Sequence, residues 1–131
     1  MNKRQKILIA DDAKFNRDIL KEFLGKTYDY LEAENGNQVI QMIGENIGID
    51  LILLDINMPQ MNGFEVLEIM KRSQCIDETP VIMISAEESV DVMRKAYEMG
   101  ITDYITRPFD SVIVKKRVQN TLELYANQKR L

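Results

Sequence analysis

The 131 residues carry 45% hydrophobic and 29% charged side chains and a net charge of −4, a composition with room for one packed core and little more. The acidic residues are scattered, which gives neither the basic footprint of a nucleic-acid binder nor the cationic face of a bare membrane-surface binder. Histidine is absent, so the commonest general base, the commonest metal ligand and every His-based triad are excluded, and any chemistry must run on carboxylates, hydroxyls and cations.

Cys75 is the only cysteine, so no intrachain disulfide can form, and a reducing cytoplasm is the expected compartment. Met1 to Lys6 is polar and leads into a short apolar run without a signal-length hydrophobic region. No segment reaches the ~18 apolar residues of a membrane span, so no membrane partner is expected.

The chain alternates short apolar runs with amphipathic stretches five times. Lys6 to Ala10 reads as a buried strand ended by Asp11-Asp12. Phe15, Ile19, Leu20, Phe23 and Leu24 then recur at helical spacing, closed by Gly25. Tyr28 to Ala33 reads as a second strand, and Gly36 to Asn46 as a helix with Val39, Ile40 and Ile43 on one face. Leu51 to Leu54 is apolar throughout, as a central parallel strand covered on both faces should be. Met58 to Gly63 is loop and Phe64 to Arg72 a third helix. Pro80 opens a fourth strand over Val81 to Ile84, Ser89 to Met99 a fourth helix stopped by Gly100, and Asp103 to Thr106 is the fifth strand. Pro108 breaks the chain before a long final helix from about Asp110, whose apolar stripe is Val114, Val118, Leu122 and Tyr125. Strict β/α alternation implies right-handed crossovers and a parallel sheet with helices on both faces. With no internal linker or repeat, residues 1–131 are expected to be one domain, with its core over about 5–126 and 127–131 a helical extension or lead-out.

Ligands of open α/β sheets bind beyond the carboxyl ends of the strands. Those ends carry Asp11-Asp12, Asp55, Ser85-Ala86 and Thr106-Arg107-Pro108. Each has a bland reading: Asp12 as a helix cap, Ser85 as a turn former, Arg107 as a surface ion-pair partner. Their joint placement on one rim argues otherwise. Three clustered carboxylates repel one another unless a cation compensates, and an all-oxygen donor set calls for a hard cation such as Mg²⁺ rather than zinc. Asp55, ionised beside a metal, is the candidate nucleophile for a phosphoryl group, whose transfer depends mainly on positioning and charge neutralisation.

Asp11-Asp12, the run Leu53 to Gly63, Ser85-Ala86 and Arg107-Pro108-Phe109 together resemble the receiver domains of bacterial response regulators. The resemblance implies a flavodoxin-like (βα)5 three-layer sandwich with parallel strands in the order 2-1-3-4-5. It implies Asp55 as phosphoacceptor from a sensor histidine kinase or phosphotransfer protein. Mg²⁺ would be held by Asp11, Asp12, Asp55 and the Asn57 carbonyl, Asp12 directly and Asp11 mostly through water. Ser85 would bond the phosphoryl group, with small Ala86 leaving room. Ser85 and Tyr104 would form the switch, Tyr104 turning from outward to inward. The output surface implied is the fourth helix, fifth strand and final helix, where Arg94, Lys95, Glu98, Asp103 and Arg117 offer a two-fold pairing face for a homodimer. By the same likeness the Arg107–Pro108 peptide is expected to be cis.

One position departs from the family. Lys is usual before that proline and Arg107 stands here, a planar fork in place of a point charge, so phosphoryl transfer and switching are expected to proceed at altered rates. Arg-Pro-Phe-Asp before this style of helix resembles receivers attached to cyclic-di-GMP synthesis or hydrolysis modules, which implies an attached effector domain. The alternatives are a degenerate receiver serving as a phosphorylation-independent interaction module, a haloacid dehalogenase-type phosphatase or transferase, and a flavodoxin. The dehalogenase type needs a proton-donating Asp where Asn57 stands. Asp11-Asp12 would repel the phosphate of a flavin.

Overall fold

The computed structural model describes residues 4–45 and 47–130. Met1 to Lys3, the expected helix end at Asn46, and Leu131 lie outside the described residues. Five strands, β1 (Lys6–Ala10), β2 (Asp29–Ala33), β3 (Leu51–Asp55), β4 (Val81–Ser85) and β5 (Asp103–Thr106), alternate with α1 (Lys14–Leu24), α2 (Gly36–Gly44), α3 (Gly63–Arg72), α4 (Val90–Glu98) and α5 (Ser111–Arg130). The strands pair in parallel in the order β2-β1-β3-β4-β5, the flavodoxin-like order expected. β1, β3 and β4 read as unbroken apolar runs because helices cover them on both faces.

Alternate residues of each strand feed opposite layers. Leu8, Ile52, Leu54 and Met83 pack on Val39 of α2, Val66, Leu67 and Met70 of α3 and Ala96 of α4. Ile7, Ile9, Leu51, Leu53, Ile82, Ile84 and Ile105 pack on Leu20 and Leu24 of α1 and on Val114, Val118 and Leu122 of α5. The α5 stripe thus falls where its spacing placed it. The α1 stripe does not: Phe15 is 74% exposed, and Arg17 takes the buried position beside Leu20 and Leu24. Arg17 lies three residues before Leu20 and seven before Leu24, on the same helical face, and hydrogen bonds make its burial tolerable.

Smaller differences have local causes. The β2 ladder starts at Asp29, whose N–H donates to the Gln5 carbonyl, leaving Tyr28 outside. Ser89 caps α4 rather than entering it, its hydroxyl accepting from the Val92 N–H. Gly63 begins α3, one residue early, behind a reciprocal capping box between Asn62 and Glu65. A 3₁₀ turn at Cys75–Asp77 carried no periodic signal. Gly100 ends the α4 segment at φ +106°, a conformation in which any Cβ is strained.

Candidate functional site

A parallel sheet puts every strand's carboxyl end on one edge. The β1/β3 register pairs Ala10 with Leu54, β3/β4 pairs Asp55 with Ile84, and β4/β5 pairs Ser85 with Thr106. The residues that follow therefore emerge in one layer. Carboxylate oxygens of Asp11, Asp12 and Asp55 lie within 4.8 Å of one another, with Asp11 and Asp55 buried and Asp12 exposed. Asp12 does not cap α1: the cap position is Ala13, with no side-chain cap bond. Instead Asp11 Oδ1 accepts the Ala13 N–H at 2.9 Å and the Asn16 amide at 3.4 Å, and the Asn57 N–H reaches Asp55 Oδ1 at 3.4 Å.

Arg107 enters the same pocket. The Arg107–Pro108 bond is cis, and the Arg107 N–H donates to the Ser85 carbonyl at 2.9 Å. One terminal guanidinium nitrogen lies 2.5 Å from Asp11 Oδ2 and 3.0 Å from Asp55 Oδ2. Burial opposes the Arg107 charge, but Asp55 and Asp11 outweigh it and hold the guanidinium above its ordinary value. The Arg107 Nε–H is buried and, among the described residues, has no acceptor.

Ser85 is wholly buried, and its hydroxyl oxygen accepts the Glu87 N–H at 3.0 Å. Tyr104, expected to point outward before phosphorylation, is already inward at 2% exposure. The ring joins the core on the α2, α3 and α4 side of the sheet, and the hydroxyl donates to the Glu87 carbonyl at 3.0 Å. Glu87 thus joins Ser85 through its N–H and Tyr104 through its C=O.

Burial raises the Asp55 carboxyl to about 6, the Asp11 charge adding to it while Arg107 and the Asn57 N–H pull the other way. A carboxyl whose folded value lies above its ordinary 3.8 binds its proton more tightly folded than unfolded. Stability therefore falls as pH rises through the window between those values and stays lowered above it. Asp55→Asn is accordingly expected to be more stable than the native chain by about 1–3 kcal/mol in metal-free buffer near pH 7.5, the gain disappearing near pH 4. Urea titrations with chelator at both pH values measure this. A variant no more stable at the higher pH contradicts it.

Three residues support the site from behind through contacts that sequence alone does not assign. Arg17 donates to the Asp11 carbonyl at 2.6 Å and to Glu32 at 2.8 Å, tying the acidic strand end to α1 and β2. Its only trace is a charged residue on an apolar stripe. Gly63 donates its N–H to the Ile56 carbonyl at 2.8 Å and packs against the Asp55 backbone. Gly36 donates to the Met61 carbonyl at 2.9 Å, which pins the loop after β3 against α2.

The chain is 29% identical over 119 residues to the chemotaxis protein CheY homolog of Campylobacter jejuni, covering 89% of this chain and 92% of that one. It is 31% identical over 117 residues to a Vibrio cholerae protein named "Probable cyclic di-GMP phosphodiesterase", covering 89% of this chain but 26% of that protein. Among solved structures, the receiver domain of the Francisella response regulator 1452 superposes with a TM-score of 0.83 at 30% identity, covering 91% of this chain and 97% of that one. Residues 7–119 match the response regulator receiver domain family. Since that span takes in the acidic pocket, Ser85, Tyr104 and Arg107 alike, the chain belongs to the receiver domains of response regulators, phosphoryl-accepting signalling domains rather than catalytic enzymes.

Proposed function

We propose that Asp55 accepts the phosphoryl group from a histidine kinase or phosphotransfer protein in a Mg²⁺-dependent reaction that switches the surface of α4, β5 and α5. The observation that carries this reading is the cluster itself: two buried carboxylates and an exposed one within 4.8 Å, at strand ends. Such a donor set suits a hard divalent ion. Asp12, Asp55 and the Asn57 carbonyl would hold it directly and Asp11 mostly through water. Bound there, Mg²⁺ would neutralise charge on the transferring phosphoryl group.

An Asp55 carboxylate oxygen attacks phosphorus, the bond from phosphorus to the donor breaks, and its electron pair leaves with the donor group. Arg107 then pairs with a phosphoryl oxygen. The Ser85 oxygen already accepts the Glu87 N–H, so its own proton is free to donate to the phosphoryl group. Moving Ser85 inward loosens Glu87, and through the Glu87 carbonyl it disturbs the seat of Tyr104, a small charge event biasing a packing element. Tyr97, 45% exposed, lies on the surface so affected. Its charges are partly paired within the chain, Arg117 with Asp103 at 3.8 Å and Arg94 with Asp91 at 3.6 Å. A homodimer bridging through them would gain only ~0–1 kcal/mol per exposed pair and be salt-sensitive.

On this reading residues 5–126 carry the receiver. Among the described residues no helix is long and apolar enough to cross a membrane. Backbone NMR with Mg²⁺ and beryllium fluoride, a phosphoryl mimic, tests the switch. Shifts are expected at Asp55, from Ser85 to Ser89, at Tyr104 and along the first turns of α5. Shifts confined to the rim around Asp55 would refute the coupling.

A further inference from the structure

We propose that Arg107 is a tethered counter-ion of the acidic pocket which a divalent ion must displace, so that metal binding and the Arg107 bridge oppose each other. This rests on reading the pocket as a divalent-cation site, and it concerns what the family's usual Lys, a point charge on a flexible stem, would not reproduce. Every carboxylate oxygen of the two buried acids already has a partner. Asp11 Oδ1 is held by Ala13 and Asn16, and Asp55 Oδ1 faces the Asn57 N–H. Both Oδ2 atoms converge on one Arg107 nitrogen at 2.5 and 3.0 Å. A cation entering among Asp11, Asp12 and Asp55 meets the guanidinium on those same oxygens, and like charges a few ångströms apart in a half-buried site repel strongly.

The guanidinium is also incompletely satisfied where it sits. Its Nε–H is buried without an acceptor among the described residues, a costly state for a donor. The Phe109 ring already flanks the bridging guanidinium, its centroid 5.8 Å from the guanidinium carbon, within cation–π range, and that contact does not depend on the carboxylates. Arg107 can therefore leave the carboxylates without becoming stranded. The Arg107 charge offsets the repulsion between Asp11 and Asp55. With a divalent ion supplying that neutralisation, Arg107 would be released from the carboxylates and its N–H groups, the unpartnered Nε–H among them, would be available to an incoming anion.

The test is a Mg²⁺ titration, with no phosphodonor, of the native chain, Arg107→Lys and Arg107→Gln, followed by calorimetry and by the Arg107 side-chain N–H signals. Circular dichroism checks that each variant is folded. Arg107→Gln is expected to bind Mg²⁺ about tenfold more tightly than the native chain, and Arg107→Lys to fall between them. In the native chain, the Arg107 N–H signals should change with the same midpoint as metal binding. Equal or weaker binding by Arg107→Gln overturns the proposal alone, as do Arg107 signals that ignore the metal. Binding by none of the three proteins overturns both the proposal and the reading of the pocket as a metal site.

Discussion

Asp55→Asn is expected to take up no phosphoryl group from acetyl phosphate and Mg²⁺, while the native chain gains one acid-labile group by intact mass. The amide differs from the carboxylate by one atom in shape but has no anionic oxygen to attack phosphorus, so the loss should reach at least 10³-fold, the scale seen when a nucleophile is removed. The variant is expected to be at least as stable as the native chain, so the loss reports chemistry. Asp55 is 1% exposed, and burial beside Asp11 lifts its carboxyl to about 6, so the neutral amide relieves a penalty that the native chain carries near neutral pH. The native fold thus retains a charge that weakens it, as sites arranged for chemistry do. A second consequence separates this account from a degenerate interaction module. Such a module would have no use for a costly ionised Asp55, and its native chain would stay unlabelled under the same conditions. Undiminished labelling of Asp55→Asn would move the acceptor elsewhere, with Asp12 the first place to look because it is the exposed acid of the cluster.

Much of this was legible in the residues because it depends on pattern. Leu51 to Leu54 and Val81 to Ile84 are apolar without alternation, which only strands covered on both faces require. Once the sheet is parallel, the rim residues follow from chain order alone, and Asp11, Asp12, Asp55, Ser85 and Arg107 needed no three-dimensional search. What escaped was contact between distant segments. No local rule says that Arg107 would span Asp11 and Asp55 with one nitrogen, or that the Glu87 main chain would link Ser85 to Tyr104. Phe15 misled because spacing places a residue on a face without saying how far that face stays covered. At the first turn of α1 it lies beyond the cover that buries Leu20 and Leu24, and it is 74% exposed. Arg17, polar by composition, is 6% exposed because the Asp11 carbonyl and Glu32 satisfy it.

Gly63→Ala is expected to destabilise the fold by about 2–4 kcal/mol and to slow phosphorylation of the molecules that remain folded. Two effects oppose each other at this position. Alanine is the better helix former, by up to ~1 kcal/mol in a helix interior, and Gly63 opens α3, so propensity alone would predict a modest gain. Packing decides the sign. An added Cβ would collide with the Asp55 carbonyl oxygen and come within 3.0 Å of the Ile56 Cα and 3.1 Å of the Asp55 carbonyl carbon. These are backbone atoms of a central strand end, which no side-chain rotation can clear, and overpacking of that kind costs ~1–3 kcal/mol or more. The Gly63 N–H also donates to the Ile56 carbonyl at 2.8 Å, so pushing α3 away lengthens that bond as well. Relief can come only by moving α3 or by moving the turn that carries Asp55 and Asn57. Either shift alters where the Asp55 carboxylate sits relative to Asp11 and Asp12, and sub-ångström misplacement of a reacting group is enough to lower a rate. Urea denaturation of Gly63→Ala measures the first effect, and the labelling rate of the folded fraction the second. Asn62→Ala is the control: it removes only the capping bond from the Glu65 N–H and should cost about 1 kcal/mol with labelling near the native rate. A Gly63→Ala protein as stable as the native chain would show that the strand end after β3 is softer than its packing against α3 implies.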